Sequence, residues 1–135
     1  MTGEEATAKI LGFIGQLVTD VDAATAQLAQ GFVWENYLPD HVPFGGRYEG
    51  AEGVAAYLEA LDATWEIGEL DVSETLVSHD QRAFSMIGVE RNGRSKVTGR
   101  HCDMAFVWVV KVDAEGRFTY LREYNDTAAM GSCYD

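Results

Sequence analysis

Apolar residues in the first part of the chain recur every three or four positions. Ile10, Leu11, Ile14, Leu17, Val18 and Val21 form one stripe, which predicts a helix over roughly residues 4–19. Asp20 or Asp22 can accept the first free amides of a shorter second helix, which Gly31 is placed to stop. A third helix is expected near residues 51–63, burying Val54, Tyr57, Leu58 and Leu61, with a short strand over 32–38 before it. After Ala63 the period falls from about 3.6 to about 2. Residues 65–78 read as one long strand whose parity slips near Gly68 and Glu69, as at a bulge. Ser78-His79-Asp80-Gln81 is a turn, and 82–91 the next strand. Asn92-Gly93 signals a hairpin, since both residues tolerate positive φ. Strands over 97–112 and 117–125 follow, parted by the turn Asp113-Ala114-Glu115-Gly116. Helices first and an antiparallel meander after them predict an α+β layer arrangement.

The strand lengths add a constraint. Fully extended, residues 97–112 span roughly 53 Å at about 3.3 Å per residue, against a radius of gyration near 14 Å for a compact domain of this size. The sheet must therefore bend, and helices across its concave side enclose a hollow. Cys102, Met104, Phe106, Trp108 and Val110 share one face of that strand, while Ala105, Val107 and Val109 make the other apolar too. Two apolar faces need two covers: the helices, and a second copy of the chain, so a homodimer is expected.

Composition narrows the partners. With 135 residues the chain is expected to form one domain over 1–135. Asp and Glu number 22 against 10 Lys and Arg, a formal charge of −12, which argues against nucleic acid or an anionic membrane as partner. The longest apolar run, Met104 to Val110, is far short of the roughly 20 residues a membrane helix needs. The opening Met1-Thr2-Gly3-Glu4-Glu5 carries acids where a signal peptide has Lys or Arg. Cys102 and Cys133 show no metal-ligand rhythm and are read as free thiols, so a cytoplasmic location is expected. No two histidines stand at ligand spacing and no glycine-rich loop precedes a helix, so neither metal nor cofactor is expected.

The element order, with Phe32-Val33-Trp34-Glu35-Asn36-Tyr37, Pro43-Phe44-Gly45-Gly46-Arg47-Tyr48-Glu49-Gly50, Phe106-Val107-Trp108-Val109 and Arg122-Glu123-Tyr124-Asn125-Asp126, resembles the NTF2-like superfamily. More narrowly it is similar to the SnoaL-like and ketosteroid-isomerase-like branch. The resemblance implies a cone in which about three N-terminal helices cover a strongly curved antiparallel sheet and an apolar pocket. It also implies that Phe32, Trp34 and Asn36, Met104, Phe106 and Trp108, and Leu121, Glu123 and Asn125 point inward. The isomerases' own chemistry departs: their proton-shuttling acid falls near Asn36, their oxyanion-binding acid near Trp108, and their helix tyrosine near Gly12 or Phe13. The epoxide hydrolases' Asp-Arg-Asp set fits no better, since Arg100 and Asp103 fall on opposite strand faces.

The SnoaL-like enzymes resemble this chain in carrying an acid on the last strand, where Glu123 and Asp126 are the candidates. A carboxyl in an apolar pocket has its pKa raised, so it can take and return a proton near neutrality. Trp34, Trp108, Phe106, Met104, Phe13 and Tyr57 are expected as walls, Asn125 beside them, and Asn36 and the Trp108 indole as anchors for a carbonyl oxygen. Glu123 has an equal structural reading as the partner of Arg122, and Asp126 as a helix cap. His101 with Asp103 ranks behind Glu123 as a relay, while His41 and His79 read as solvated loop residues. The implied function is a cofactor-independent biosynthetic cyclase, isomerase or dehydratase acting on a hydrophobic, polyketide-like carbonyl compound. The alternatives are a non-catalytic module binding an apolar small molecule, and a dimerising adaptor with a vestigial cavity.

Overall fold

The computed structural model describes residues 1–135. Helix α1, Gly3–Thr19, starts at a capping box in which Thr2 and Glu5 satisfy each other's backbone amides at 3.1 Å, and it buries Ala6, Ile10, Phe13 and Leu17. Helix α2, Val21–Thr25, is capped by Asp20, which accepts from the Ala23 amide at 3.2 Å. Gly31 does not stop that helix. It lies inside strand β1, Leu28–Asn36, with φ +83° where the pairing register slips. The left-handed conformation that suits glycine to a helix end suits it equally to a bulge. Strand β2, Gly46–Glu49, then leads into α3, Gly50–Thr64. Gly53 lets that helix press on β2, since a Cβ there would stand 2.8 Å from the Tyr48 carbonyl carbon.

Strands β3, Trp65–Glu66, and β4, Glu69–Val77, both pair antiparallel with β5, Ala83–Ser95, so the expected break falls at Ile67 and Gly68. Asn92-Gly93 is a bulge inside β5, close to its end, rather than a hairpin turn. Asn92 takes φ 60°, its amide donates to Asp103 at 2.8 Å, and the chain turns only after Ser95. Strands β6, His101–Val112, and β7, Phe118–Asn125, complete the sheet, in the order β2-β1-β7-β6-β5-β3 with β4 also on β5. All pairs are antiparallel except β1 with β7, which run parallel. The concave face carries the core, including Phe32, Phe84, Met86, Val110, Phe118 and Leu121. On the outer face Ala105 is exposed and Val107 and Val109 half-buried.

A fourth helix, α4, Thr127–Cys133, folds back along β6. Asp126 is its cap: exposed, it accepts from the Ala129 amide at 3.0 Å. The free-thiol expectation is corrected here, because Cys102 and Cys133 form a disulfide across a Cα–Cα distance of 6.2 Å. Their separation of 31 residues hides the pairing from any local pattern, and the bond removes the thiols as an argument for a reducing compartment. No helix is long and apolar enough to cross a membrane.

Candidate active site

Parallel pairing of β1 with β7 sets Asn36 directly beside Glu123, and antiparallel pairing of β6 with β7 sets Trp108 on its other side. From above, α3 lowers Tyr57 onto the same carboxyl. Glu123 Oε2 accepts from the Trp34 indole N–H at 2.8 Å and from the Tyr57 hydroxyl at 2.6 Å. Asn36 donates its amide to the Tyr57 oxygen at 3.1 Å and accepts from Asn125 at 2.9 Å. With Asn36 donating to it, Tyr57 has its own proton committed to the glutamate. Asn36 is 1% exposed and engaged on both sides, which makes it a positioning residue rather than a free anchor.

Burial away from water pushes the Glu123 carboxyl from the usual 4.5 to about 7, against the opposing pull of the Tyr57 and Trp34 hydrogen bonds. Burial, and then the charge of Glu123, raise Tyr57 well above an ordinary phenol, so it stays a donor. Both donors fall on Oε2. Glu123 Oε1 takes neither of them, and the Asn125 side chain adds a weaker pull on the same carboxyl. Oε1 is not sealed off, since the only buried side-chain atoms without a partner are Trp108 Nε1 and Arg122 Nε. That oxygen therefore faces the hollow. Arg122 does not pair with Glu123: it points to the opposite face, 4.0 Å from Glu35 and stacked over Tyr124 at 4.3 Å.

The hollow has a cavity volume of about 70 Å³, reaching about 600 Å³ only when the open solvent at its mouth is counted, and 14 of its 18 lining residues are hydrophobic. The others are Asn36, Glu90, Glu123 and Asn125, so no Lys, Arg or His faces it. Its mouth opens between Leu17 and Val18 of α1, Leu58 and Leu61 of α3, and Ile67 after β3. Leu58 and Leu61, expected in the core, are half-buried because they border this opening.

The curved sheet closed by helices has counterparts among known proteins. The SnoaL-like domain family matches residues 18–121. The chain belongs to that family. No curated protein matches the sequence. Among solved structures, an NTF2-like protein from Burkholderia xenovorans LB400 is similar with a TM-score of 0.81 at 22% identity, covering 100% of this chain and 99% of its own. TerC, co-crystallised with polyporic acid, gives 0.73 at 16%, with 96% of each chain covered. A computationally designed 17-OHP binder gives 0.67 at 20%, covering 91% of this chain and 94% of its own. At these identities the likeness speaks for the fold.

Within this SnoaL-like domain, Trp34, Asn36, Tyr57, Met104, Trp108, Glu123 and Asn125 all line the hollow. Phe13 and Phe106 do not. Phe13 packs on Phe118 at 4.6 Å and Phe106 on Trp108 at 5.1 Å, behind the wall. Asp126 stays outside as a cap. His101 and Asp103 are exposed on the outer face, with Asp103 taken up by Asn92. His41 touches the Gly131 carbonyl at 2.9 Å and His79 sits in a turn, neither of them lining the hollow. The sequence reading missed Glu90. Its signal was parity: Phe84, Met86, Gly88 and Glu90 alternate on one face of β5, with the glutamate among apolar neighbours.

Proposed function

We propose that this SnoaL-like protein is an acid–base enzyme, a cyclase, isomerase or dehydratase of a hydrophobic, polyketide-like carbonyl compound, and that it acts as a homodimer. One observation carries the reading: the Glu123 carboxyl, titrating at about 7, has one oxygen pinned by Trp34 and Tyr57 and the other facing an apolar hollow. Oε1 takes a proton from the carbon next to a carbonyl. The C–H electron pair forms the C=C bond of an enolate while the carbonyl π pair moves to oxygen, and as the carbonyl re-forms Glu123 returns the proton to another atom of the same ligand. Trp108 lines the hollow with its ring, but its indole N–H is buried without an acceptor and is not open to the ligand, so the expected anchor for that oxygen is not in place. Asn36 holds Tyr57, Tyr57 and Trp34 hold the carboxylate, and apolar walls keep water from competing. Proton transfer by a carboxyl calls for no further group.

A test needs no knowledge of the natural ligand. All three tryptophans line the hollow, so their fluorescence reports occupancy. Enolisable aromatic ketones such as 1-tetralone are incubated in D2O, and loss of the α-proton signal is followed by NMR. The protein should accelerate exchange roughly 100-fold over buffer. Glu123→Gln should return it to the buffer rate while fluorescence quenching persists. Exchange that survives Glu123→Gln overturns the proton-carrier role. Binding without exchange across a ketone series favours the second reading, a ligand-binding module, which the largely apolar lining also suits.

A further inference from the structure

Glu90 is the one acid of the hollow that the mechanism above leaves without a role. It sits on β5 where the register slips against β6, and is 8% exposed. Its Oε2 accepts from the Trp65 indole N–H at 2.9 Å and the Gly68 amide at 3.2 Å. Its Oε1 accepts nothing, yet is not among the sealed-off atoms without a partner. The arrangement repeats that of Glu123: an indole and a second donor hold Oε2, and Oε1 opens to the hollow. Keeping a carboxyl so deeply buried costs stability unless a partner completes it. Two donors complete only half of this one.

The local sequence is shaped around that carboxyl. A Cβ on Gly93 would come within 2.3 Å of the Trp65 ring and 2.5 Å of Glu90 Oε2, and one on Gly68 within 2.0 Å of the Arg91 carbonyl oxygen. The two glycines thus let the bulge close over the Trp65–Glu90 pair. Glu90 pairs with Met104 on β6 and Glu123 with Trp108, so the two acids stand two strands and four residues apart. On a flat sheet their Cα atoms would be roughly 16 Å apart, and the curvature turns both side chains into one space.

Resting on the acid–base reading, we infer that Glu90 is a second ligand-binding carboxyl, which accepts a hydroxyl at the far end of the carbonyl compound. With Glu123 it makes the hollow select uncharged hydroxylated ligands and reject those carrying a carboxylate. No cation lines the hollow itself to compensate an incoming anion, and Lys96 at its mouth is paired with Asp62 at 3.6 Å, beside Glu59 and Glu66. An anion placed among apolar side chains beside two acids meets both desolvation and like-charge repulsion. A hydroxyl instead supplies the donor that Glu90 Oε1 lacks.

The test compares 1-tetralone, 6-hydroxy-1-tetralone and 6-carboxy-1-tetralone by tryptophan fluorescence at neutral pH. The hydroxyl compound should bind about tenfold more tightly than the parent, as a hydrogen bond to a charged group allows. The carboxylate should bind at least about tenfold more weakly than the parent. Glu90→Gln, which keeps an acceptor for Trp65 and Gly68, should shrink the penalty on the carboxylate to about threefold or less. Equal affinities for the three ligands, or a penalty that Glu90→Gln leaves intact, overturn the assignment. Should Glu90→Gln not fold, the wild-type order decides alone, with the carboxylate binding as well as the parent counting against it. The outcome separates from the acid–base reading, because affinity is measured without turnover. Exchange with no affinity order sinks only the role of Glu90, and the affinity order with no exchange sinks only the chemistry. No saturable binding by any of the three sinks both.

Discussion

Replacing Glu123 with Gln should change how stability depends on pH, in a direction opposite to that of an ordinary salt-bridged carboxylate. The carboxyl titrates at about 7 in the folded protein and near 4.5 once unfolded. Below 4.5 both states hold the proton. As pH rises towards 7 the unfolded chain loses it while the native state keeps it, so the native state is progressively disfavoured, and above 7 the difference stays constant. Between pH 5 and pH 8 this one group lowers wild-type stability by about 2.5 kcal/mol. Gln titrates in neither state. The stability of wild type minus that of Glu123→Gln should therefore fall by about that amount across the range, equivalent to about 8 °C in Tm for a domain of this size. Urea unfolding at several pH values, followed by far-ultraviolet circular dichroism, measures it. The charge of −12 repels itself more as pH rises, largely alike in the two proteins, whereas Glu90, also raised by burial and interacting with Glu123 by charge, cancels only in part. Tyr57→Phe removes a donor that favours the carboxylate, so it should move the pH-sensitive window upward. A difference flat to within about 0.5 kcal/mol would falsify the raised pKa, and with it the basis for Glu123 as a proton carrier at neutral pH.

Two further outcomes are expected. Cys102→Ser should cost about 3 to 4 kcal/mol, the chain-entropy value for a loop closed over 31 residues. Because α4 carries Met130 into the wall and Tyr134 against Trp65 at 6.1 Å, the loss should also raise the accessibility of the tryptophans to acrylamide. Unchanged stability would mean that α4 is held by packing alone. Sedimentation velocity should give twice 14.8 kDa, and placing Lys at Val107 on the half-buried outer face should shift it to the monomer. A monomeric wild type removes the homodimer.

What the sequence determined by itself was whatever depends on neighbours along the chain. The stripe from Ile10 to Leu17 specified α1, and alternation put Trp34 with Asn36, Met104 with Trp108, and Glu123 with Asn125 on common strand faces, which the resemblance to the NTF2-like fold turned inward. A period of two carries that much, because one inward residue sets the rest of its strand. Asn92-Gly93 marks the limit of such reasoning: positive φ is local, but whether it ends a strand or bulges it depends on Asp103 across the sheet. The disulfide, the parallel seat of β1 beside β7, and Glu90 under Trp65 lay beyond the local pattern for the same reason. The chemistry of the candidate site belongs wholly to the tertiary structure. An acid's pKa reflects what removes water from it and what donates to it, and for Glu123 those groups come from residues 89 and 66 positions away, Trp34 and Tyr57. Only the folded chain brings them to one oxygen and leaves the other free.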